Sequence, residues 1–289
     1  MSRDHLIALL EAYLVTFLWS SSYVLVKMGL GQIPPLTLVS LRYVVASAFL
    51  IPIALSRGNM SLMPDRRTLT KMVFLGLSGY TIAQGLQCLG LYYLPAVSVT
   101  FILNFTPVFV LILGVFFLKD NPGPLQLTGM AIVMVGAYLY FNAPLASDSL
   151  LGILITLVSG LGWASYLVST RLLFREGGVG PLELTASSMG LGTFVLALSA
   201  LALEGFPRVP LSGWAIIAWL GVVNTALAFF LWNHALQRLK AFEISVLQNT
   251  MLVQIAILAW LFLGEQLTAT KLTTMAMVFI GALIVQLRR

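Results

Sequence analysis

Charge is scarce in this chain: 16 Lys and Arg and 10 Asp and Glu make up only 9% of its 289 residues, against about 25% in a soluble domain. So few charges cannot clothe a water-facing surface, which excludes a soluble enzyme, a coiled coil and a disordered chain together. Cysteine is nearly absent, and a single Cys88 excludes an intramolecular disulfide framework and a cysteine-rich metal site. The two histidines, His5 and His234, form no H-E-x-x-H or Ser/His couple of the kind a membrane-embedded enzyme needs. A G-x-x-x-x-G-K-[ST] loop for ATP is missing as well. No small-residue cleavage site follows the first apolar stretch, so a removable signal peptide is not expected.

Hydrophobic residues make up 59% of the chain, and the mean hydropathy is +0.97. Proline, glycine and charge clusters divide the sequence into ten apolar stretches, near 6–29, 34–56, 68–90, 95–118, 124–141, 150–174, 181–203, 212–236, 241–263 and 268–287. Each is close to the ~20 residues that cross a bilayer core as a helix. Their apolar runs are continuous rather than alternating, which excludes a membrane β-barrel. The expected fold is therefore an all-α membrane protein of ten spans. The net charge of +6 then bears on orientation rather than on nucleic acid, which is not an expected partner. Ten spans put both termini on one side, with Arg3, Arg57, Arg66, Arg67, Lys71, Lys119, Arg171, Arg175, Arg238, Lys240, Arg288 and Arg289. The other side holds Arg208, with Lys27 and Lys271 near helix ends and Arg42 inside a span. The positive-inside rule makes both termini cytoplasmic, in a multi-pass protein of the cell (inner) membrane.

The chain also repeats itself. Shifted by 145 residues, Leu75 to Tyr138 pairs without gaps with Leu220 to Leu283, with about 20 identities in some 64 positions. Asn104 falls on Asn249, Phe117-Leu118 on Phe262-Leu263, and Gly136-Ala137 on Gly281-Ala282; with one residue of adjustment Trp19 falls on Trp163. The halves 1–145 and 146–289 thus hold five spans each. An odd number forces the second half to insert upside down. Inverted repeats around a central cavity are the architecture of secondary transporters.

The run Phe262-Leu263-Gly264-Glu265-Gln266-Leu267-Thr268, followed by Gly281-Ala282-Leu283-Ile284, resembles the "FLGE-x-LT … GA-x-L-I" ending of the EamA family, within the drug/metabolite transporter superfamily. The first half carries a degraded copy in Phe117-Leu118-Lys119-Asp120 and Gly136-Ala137. Leu18 to Tyr23 with Lys27 is similar to the family's first span, Arg42-Tyr43 to its "RF" pair, and Asn104-Phe105-Thr106-Pro107 to its fourth-span pattern. The ninth span departs: where many members read "EP", this chain has Thr250-Met251-Leu252, which counts against a symmetric pair of kinks. The resemblance covers essentially the whole chain. It implies a carrier, not an enzyme, for small organic solutes such as amino acids or related metabolites, as exporter or exchanger, without cofactor or metal. An efflux carrier for drugs or other hydrophobic compounds is the alternative; a channel or a non-transporting scaffold is more remote. Besides the solute and the bilayer, the chain is expected to work as a monomer or a homodimer.

Polar residues inside spans mark the candidate site, because unpaired amides in hydrocarbon are costly. Tyr80, Gln84 and Gln87 follow i, i+4, i+7 spacing on the third span; Thr100 and Asn104 share a stripe on the fourth. Ser245, Gln248 and Asn249 do the same on the ninth span, and Thr225, Phe229 and Trp232 match the third-span stripe on the eighth. Together with Trp19 and Trp163, these residues are expected to line a shared cavity. The alternatives are hydrogen bonding between helices, and for the two tryptophans simple packing. Glu11 is either a proton-coupling carboxylate or a polar contact near the interface, and Arg42 either binds an anionic group or anchors loop carbonyls near a gate. Asp120 and Glu265 precede helix N-termini, whose dipoles a carboxylate complements. Gly129, Gly136 and Gly281 are expected to let the fifth and tenth spans approach closely, as a scaffold away from the cavity.

Overall fold

The computed structural model describes residues 3–58, 65–94, 99, 102–141, 149–205, 207–263 and 269–286. Among these residues the regular structure is entirely helical. In chain order the helices are α1 (Arg3–Leu30), α2 (Pro35–Ser56), α3 (Arg66–Gly76), α4 (Leu86–Tyr93), α5 (Thr106–Leu113), α6 (Pro124–Phe141), α7 (Leu150–Glu176), α8 (Pro181–Glu204), α9 (Leu211–Gly221), α10 (Ala228–Leu236), α11 (Ala241–Gln248), α12 (Met251–Leu263) and α13 (Ala269–Gln286). Leu77–Gly85 joins α3 to α4 and Val222–Leu227 joins α9 to α10, both wound as π-helix; a third π segment, Gly114–Leu118, extends α5. Six helical stretches are long and apolar enough to cross a membrane, and Thr106–Leu118, Pro124–Leu139 and Leu272–Val285 are shorter apolar helices. Large apolar side chains such as Leu10, Phe17, Phe116, Phe194 and Leu211 stand exposed on the outside. In water they would be a liability; toward lipid tails they are the expected surface.

Local chemistry sets the helix ends. Pro35 and Pro181 occupy first turns, where the missing N–H costs nothing. Asp65 caps α3 by accepting from the N–H groups of Arg67 and Thr68, and the Thr68 side chain together with these N–H groups holds its carboxyl below the usual range. Gly177 (φ 78°) and Gly205 (φ 71°) end α7 and α8 in a backbone region that suits glycine. The N-terminus of α2 is capped from a distance. Glu204, at the end of α8, accepts from Leu36 N–H at 2.9 Å, Thr37 N–H at 2.7 Å and the Thr37 hydroxyl at 2.8 Å.

Glycine governs the closest helix contacts. α6 and α13 pack along each other, and a Cβ on Gly129 would lie 2.7 Å from the Gly281 carbonyl oxygen, as one on Gly281 would from Gly129. Gly136 approaches the Thr274 carbonyl in the same way. Their close approach, expected from the sequence, is thus present. A second close approach sets Gly76 of α3 against the Ser188 carbonyl and Gly192 of α8. At the repeat-related position Gly221 of α9 meets Val45 and the Arg42 carbonyl of α2. Both glycines stand where a π segment begins.

The basic residues gather with acidic or carbonyl partners. Lys71 pairs with Glu176, Arg175 with Asp120 at 2.7 Å and with the Leu118 carbonyl, and Arg171 with the carbonyls of Leu236 and Gln237. Asp120 is therefore bound by Arg175 of α7, a partner distant in sequence, rather than serving a helix dipole alone. Glu265 lies outside the described residues, as do the side chains of Lys27 and Lys271.

Candidate functional site

The helices leave a cavity of about 910 Å³ of empty space, counting the part open to the surroundings. Its wall takes Trp19 and Ser22 from α1, Arg42 from α2, and Gln84 and Gln87 from the third span. Asn104 comes from the turn before α5 and Thr106 from its start, Ser159 and Trp163 from α7, Phe229 from α10, Gln248 from α11, then Asn249 and Met251. A second space of about 550 Å³ adjoins it, sharing Ser22, Arg42, Gln84 and Gln87 and adding Val26, Leu38, Val39 and Cys88.

Both helices that carry the repeat-related asparagines are interrupted there. Ile102 and Leu103 are helical, Asn104 and Phe105 form a turn, and α5 starts at Thr106. In the second half α11 ends at Gln248, Asn249 and Thr250 form a turn, and α12 starts at Met251. Tight i→i+3 bonds carry the chain through each turn, from Phe105 N–H to Ile102 O at 3.1 Å, and from Asn249 N–H to Val246 O at 3.1 Å. The breaks meet: Asn249 Nδ2 donates to the Asn104 backbone carbonyl at 2.9 Å. The missing proline of the ninth span counted against a symmetric pair of kinks, and the structure corrects that expectation. Pro107 accompanies the first break, whereas the second forms without proline, next to a side-chain amide that serves a carbonyl freed by the first.

Trp19 and Trp163 meet edge to face in the wall, with ring centroids 5.9 Å apart. Each indole is held by one hydrogen bond, Trp19 Nε1 to the Asn224 carbonyl at 3.1 Å and Trp163 Nε1 to Gln248 Oε1 at 2.7 Å. They therefore both pack and line the cavity. Asn224 stands in the π segment Val222–Leu227. Its carbonyl also accepts from Arg42 Nη2 at 3.1 Å, while Arg42 Nε donates to the Thr225 hydroxyl. An i→i+5 segment frees backbone groups from the regular α-helical pairing, and side chains from α1 and α2 take up this one. Gln84 and Gln87 have no protein hydrogen-bond partner among the described residues, so their amides are available to the space they line.

The structure does not bring every expected residue to the wall. Tyr80 is fully buried, and its hydroxyl lies 3.0 Å from that of Tyr166, which in turn donates to Asn233 Oδ1 at 3.0 Å. The reason is the π winding of Leu77–Gly85: each turn holds an extra residue, so the i, i+4, i+7 stripe precesses and Tyr80 turns away from Gln87. Thr225 is buried under Arg42 and donates to the Leu220 carbonyl at 2.8 Å. Trp232 lies behind the wall against Trp19, centroids 4.8 Å apart, and Ser245 is buried with its hydroxyl on the Phe242 carbonyl. Thr100 lies outside the described residues. Glu11 is remote from the wall. Its carboxylate lies 2.7 Å from His234 Nδ1, and the other ring nitrogen lies 3.0 Å from Arg238 Nη1, which makes a clasp between α1 and α10. Ser22 and Ser159 line the cavity unforeseen; their spacing of three and four residues from Trp19 and Trp163 was the signal that would have found them. Gln254, which ties α12 to Ser20 and Thr16 of α1, carried no such signal.

The chain is similar to known proteins over nearly its whole length. The model of the EamA-like transporter family matches residues 6–142 and again 150–287. A protein of Archaeoglobus fulgidus named "Uncharacterized transporter" is 26% identical over 274 residues, covering 92% of this chain and 91% of its own. A "Probable amino-acid metabolite efflux pump" of Salmonella typhimurium is 25% identical over 287 residues, covering 94% and 92%. A "Probable terminal-alkyne amino-acid exporter" of Streptantibioticus cattleyicolor is 25% identical over 273 residues, covering 93% and 90%. One solved crystal structure, 20% identical, superposes on 97% of this chain and 98% of its own with a TM-score of 0.82, which shows a shared fold.

Proposed function

The chain belongs to the EamA-like transporter family, and from that premise we propose that it is a secondary transporter, an exporter or exchanger, of small organic solutes such as amino acids or related metabolites. The observation that carries the proposal is the meeting of two interrupted helices, one from each matched segment, at the wall of a single cavity. Interrupted helices at the interface of repeats are where transporters place their substrates. Two relatives whose names specify amino-acid export support the solute class.

In this reading the halves 1–145 and 146–289 are inverted five-helix repeats, giving ten spans with both termini cytoplasmic. Repeat-related residues support it by meeting reciprocally: Asn104 with Asn249, Trp19 with Trp163, and Gly129 with Gly281 alongside Gly136 with Thr274. The cavity residues fall in the helix portions away from the basic ends, where Lys71 reaches Glu176, Arg175 reaches Asp120, and His234, beside Arg238, reaches Glu11. The described conformation is then closed toward the cytoplasm, and alternating access consists of opening those clasps while the far side closes.

Purified protein in liposomes preloaded with unlabelled amino acid is expected to take up the same labelled amino acid by saturable counterflow. Conduction without saturation or counterflow would make it a channel. Saturable exchange of hydrophobic dyes with none of any amino acid or related acid would replace the solute class by that of a hydrophobic-compound efflux carrier.

A further inference from the structure

Arg42 is the charged residue of this cavity: the residues that line it and its neighbour include no Asp, Glu, Lys or His among those described. The side chain is deeply placed, with Arg42 only 9% exposed. A cation at that depth is retained at a cost unless an anion or several acceptors offset it. The protein supplies only neutral partners, the Thr225 hydroxyl on Nε and the Asn224 carbonyl on Nη2, with the Tyr43 ring 5.6 Å away. Of the five N–H donors of a guanidinium, those on Nη1 have no protein acceptor among the described residues. Three of the acids described elsewhere are committed. Glu204 spends both oxygens on the start of α2, Glu11 faces His234, and Glu243 caps α11 through Lys240 N–H. Beside Arg42 stand the unpartnered amides of Gln84 and Gln87, and beyond them the apolar faces of Trp19, Trp163 and Phe229.

We propose that the cavity takes an organic monocarboxylate with an apolar body, its carboxylate on the free edge of Arg42 and its body against Trp19, Trp163 and Phe229. The proposal rests on reading the cavity as the substrate site. Nε and one Nη2 donor hold the guanidinium in place, so its remaining edge is presented at fixed geometry, which suits a planar carboxylate. The wall offers an ammonium no counter-charge, only neutral acceptors. An α-amino group is thus accommodated through amide oxygens but not required, and a cation without a carboxylate is rejected, because two positive charges would share a poorly hydrated space. Recognition runs through the acid function, and amino acids bind as one kind of carboxylate.

The test uses purified full-length protein and three probes of one shape: 3-phenylpropionate, L-phenylalanine and phenethylamine. Binding, read as ligand-dependent thermal stabilisation, is expected for the first two and absent for the amine. In Arg42→Gln the affinity for 3-phenylpropionate should fall roughly 10- to 150-fold, the loss of a charged hydrogen-bond partner, with partial recovery in Arg42→Lys. Stabilisation by phenethylamine equal to that by 3-phenylpropionate overturns the proposal, as does unchanged acid binding in Arg42→Gln. Should Arg42→Gln fail to fold, the order of the three probes on the unmodified protein still decides. Counterflow of some solute with no response to either acid removes the carboxylate anchor and leaves the carrier reading standing. Absence of saturable exchange for every solute removes the carrier reading itself.

Discussion

Gln84 and Gln87 differ from the other amides of the cavity in what they already hold. Gln248 accepts the Trp163 indole and Asn249 bridges to the Asn104 carbonyl, so each is structural and cavity-lining at once. The two third-span glutamines bond nothing in the described protein. Removing them therefore leaves no buried partner unsatisfied. Gln84→Ala and Gln87→Ala are expected to change stability by no more than about 0.5 kcal/mol and to weaken solute affinity about 2- to 13-fold for each lost hydrogen bond. Asn249→Ala removes a buried bond to the Asn104 carbonyl and should cost about 1–3 kcal/mol of stability in addition to any loss of transport. Melting temperature and counterflow measured on the same samples separate the two groups. Equal stability losses in all three variants would make the glutamines interhelical glue. The amide positions were legible in the sequence, because polar side chains in an apolar run stand out. Their division of labour was not, since a partner such as the Asn104 carbonyl lies 145 residues away.

At the scale of elements, helix irregularity has causes that can be named. The π segments at Leu77–Gly85 and Val222–Leu227 occupy matching places in the repeat, and each follows a glycine pressed against a neighbouring backbone, Gly76 on α8 and Gly221 on α2. Hydropathy marks the apolar stretches, but it reads an α period throughout and so put Tyr80 on the cavity stripe. The glycine contact of α6 with α13 makes a sharper prediction. A methyl added at Gly129 or Gly281 would meet a backbone oxygen at 2.7 Å, an atom that cannot swing aside as a side chain can. Gly129→Ala and Gly281→Ala are each expected to cost about 1–3 kcal/mol by overpacking. Nothing stands within 4 Å of the corresponding position on Gly114, so Gly114→Ala should fall within about 0.5 kcal/mol of the unmodified protein. Reversible unfolding in detergent measures all three. A tolerated Gly129→Ala would show that α6 and α13 can move apart freely.

For the whole molecule, the arrangement of charge decides orientation. Basic residues from α3, α7 and the turn after α10 stand with their partners, and Glu204 caps α2 at a separate place. In a Cys88→Ser background, Ser56→Cys at the end of α2 and Ser212→Cys at the start of α9 replace exposed serines. The first is expected to react with a membrane-impermeant thiol reagent only after the cytoplasmic face is opened, the second in intact cells. Labelling of both from the outside would overturn the ten-span, termini-inside arrangement. The test also fixes which side of the membrane the described cavity faces.

Composition and periodicity were enough to determine the solvent this chain folds in, its helical character, and the sequence repeat between its halves. Each of these depends on residues near one another in sequence, or on a fixed offset of 145. Only the tertiary structure decided which polar side chains face open space. That depends on helix rotation at π segments and breaks, and on hydrogen bonds from distant elements, such as Arg42 to Asn224 and Trp19 to the same carbonyl. A hydropathy pattern records how far a residue is from water, and a cavity is a gap between helices that no single helix encodes.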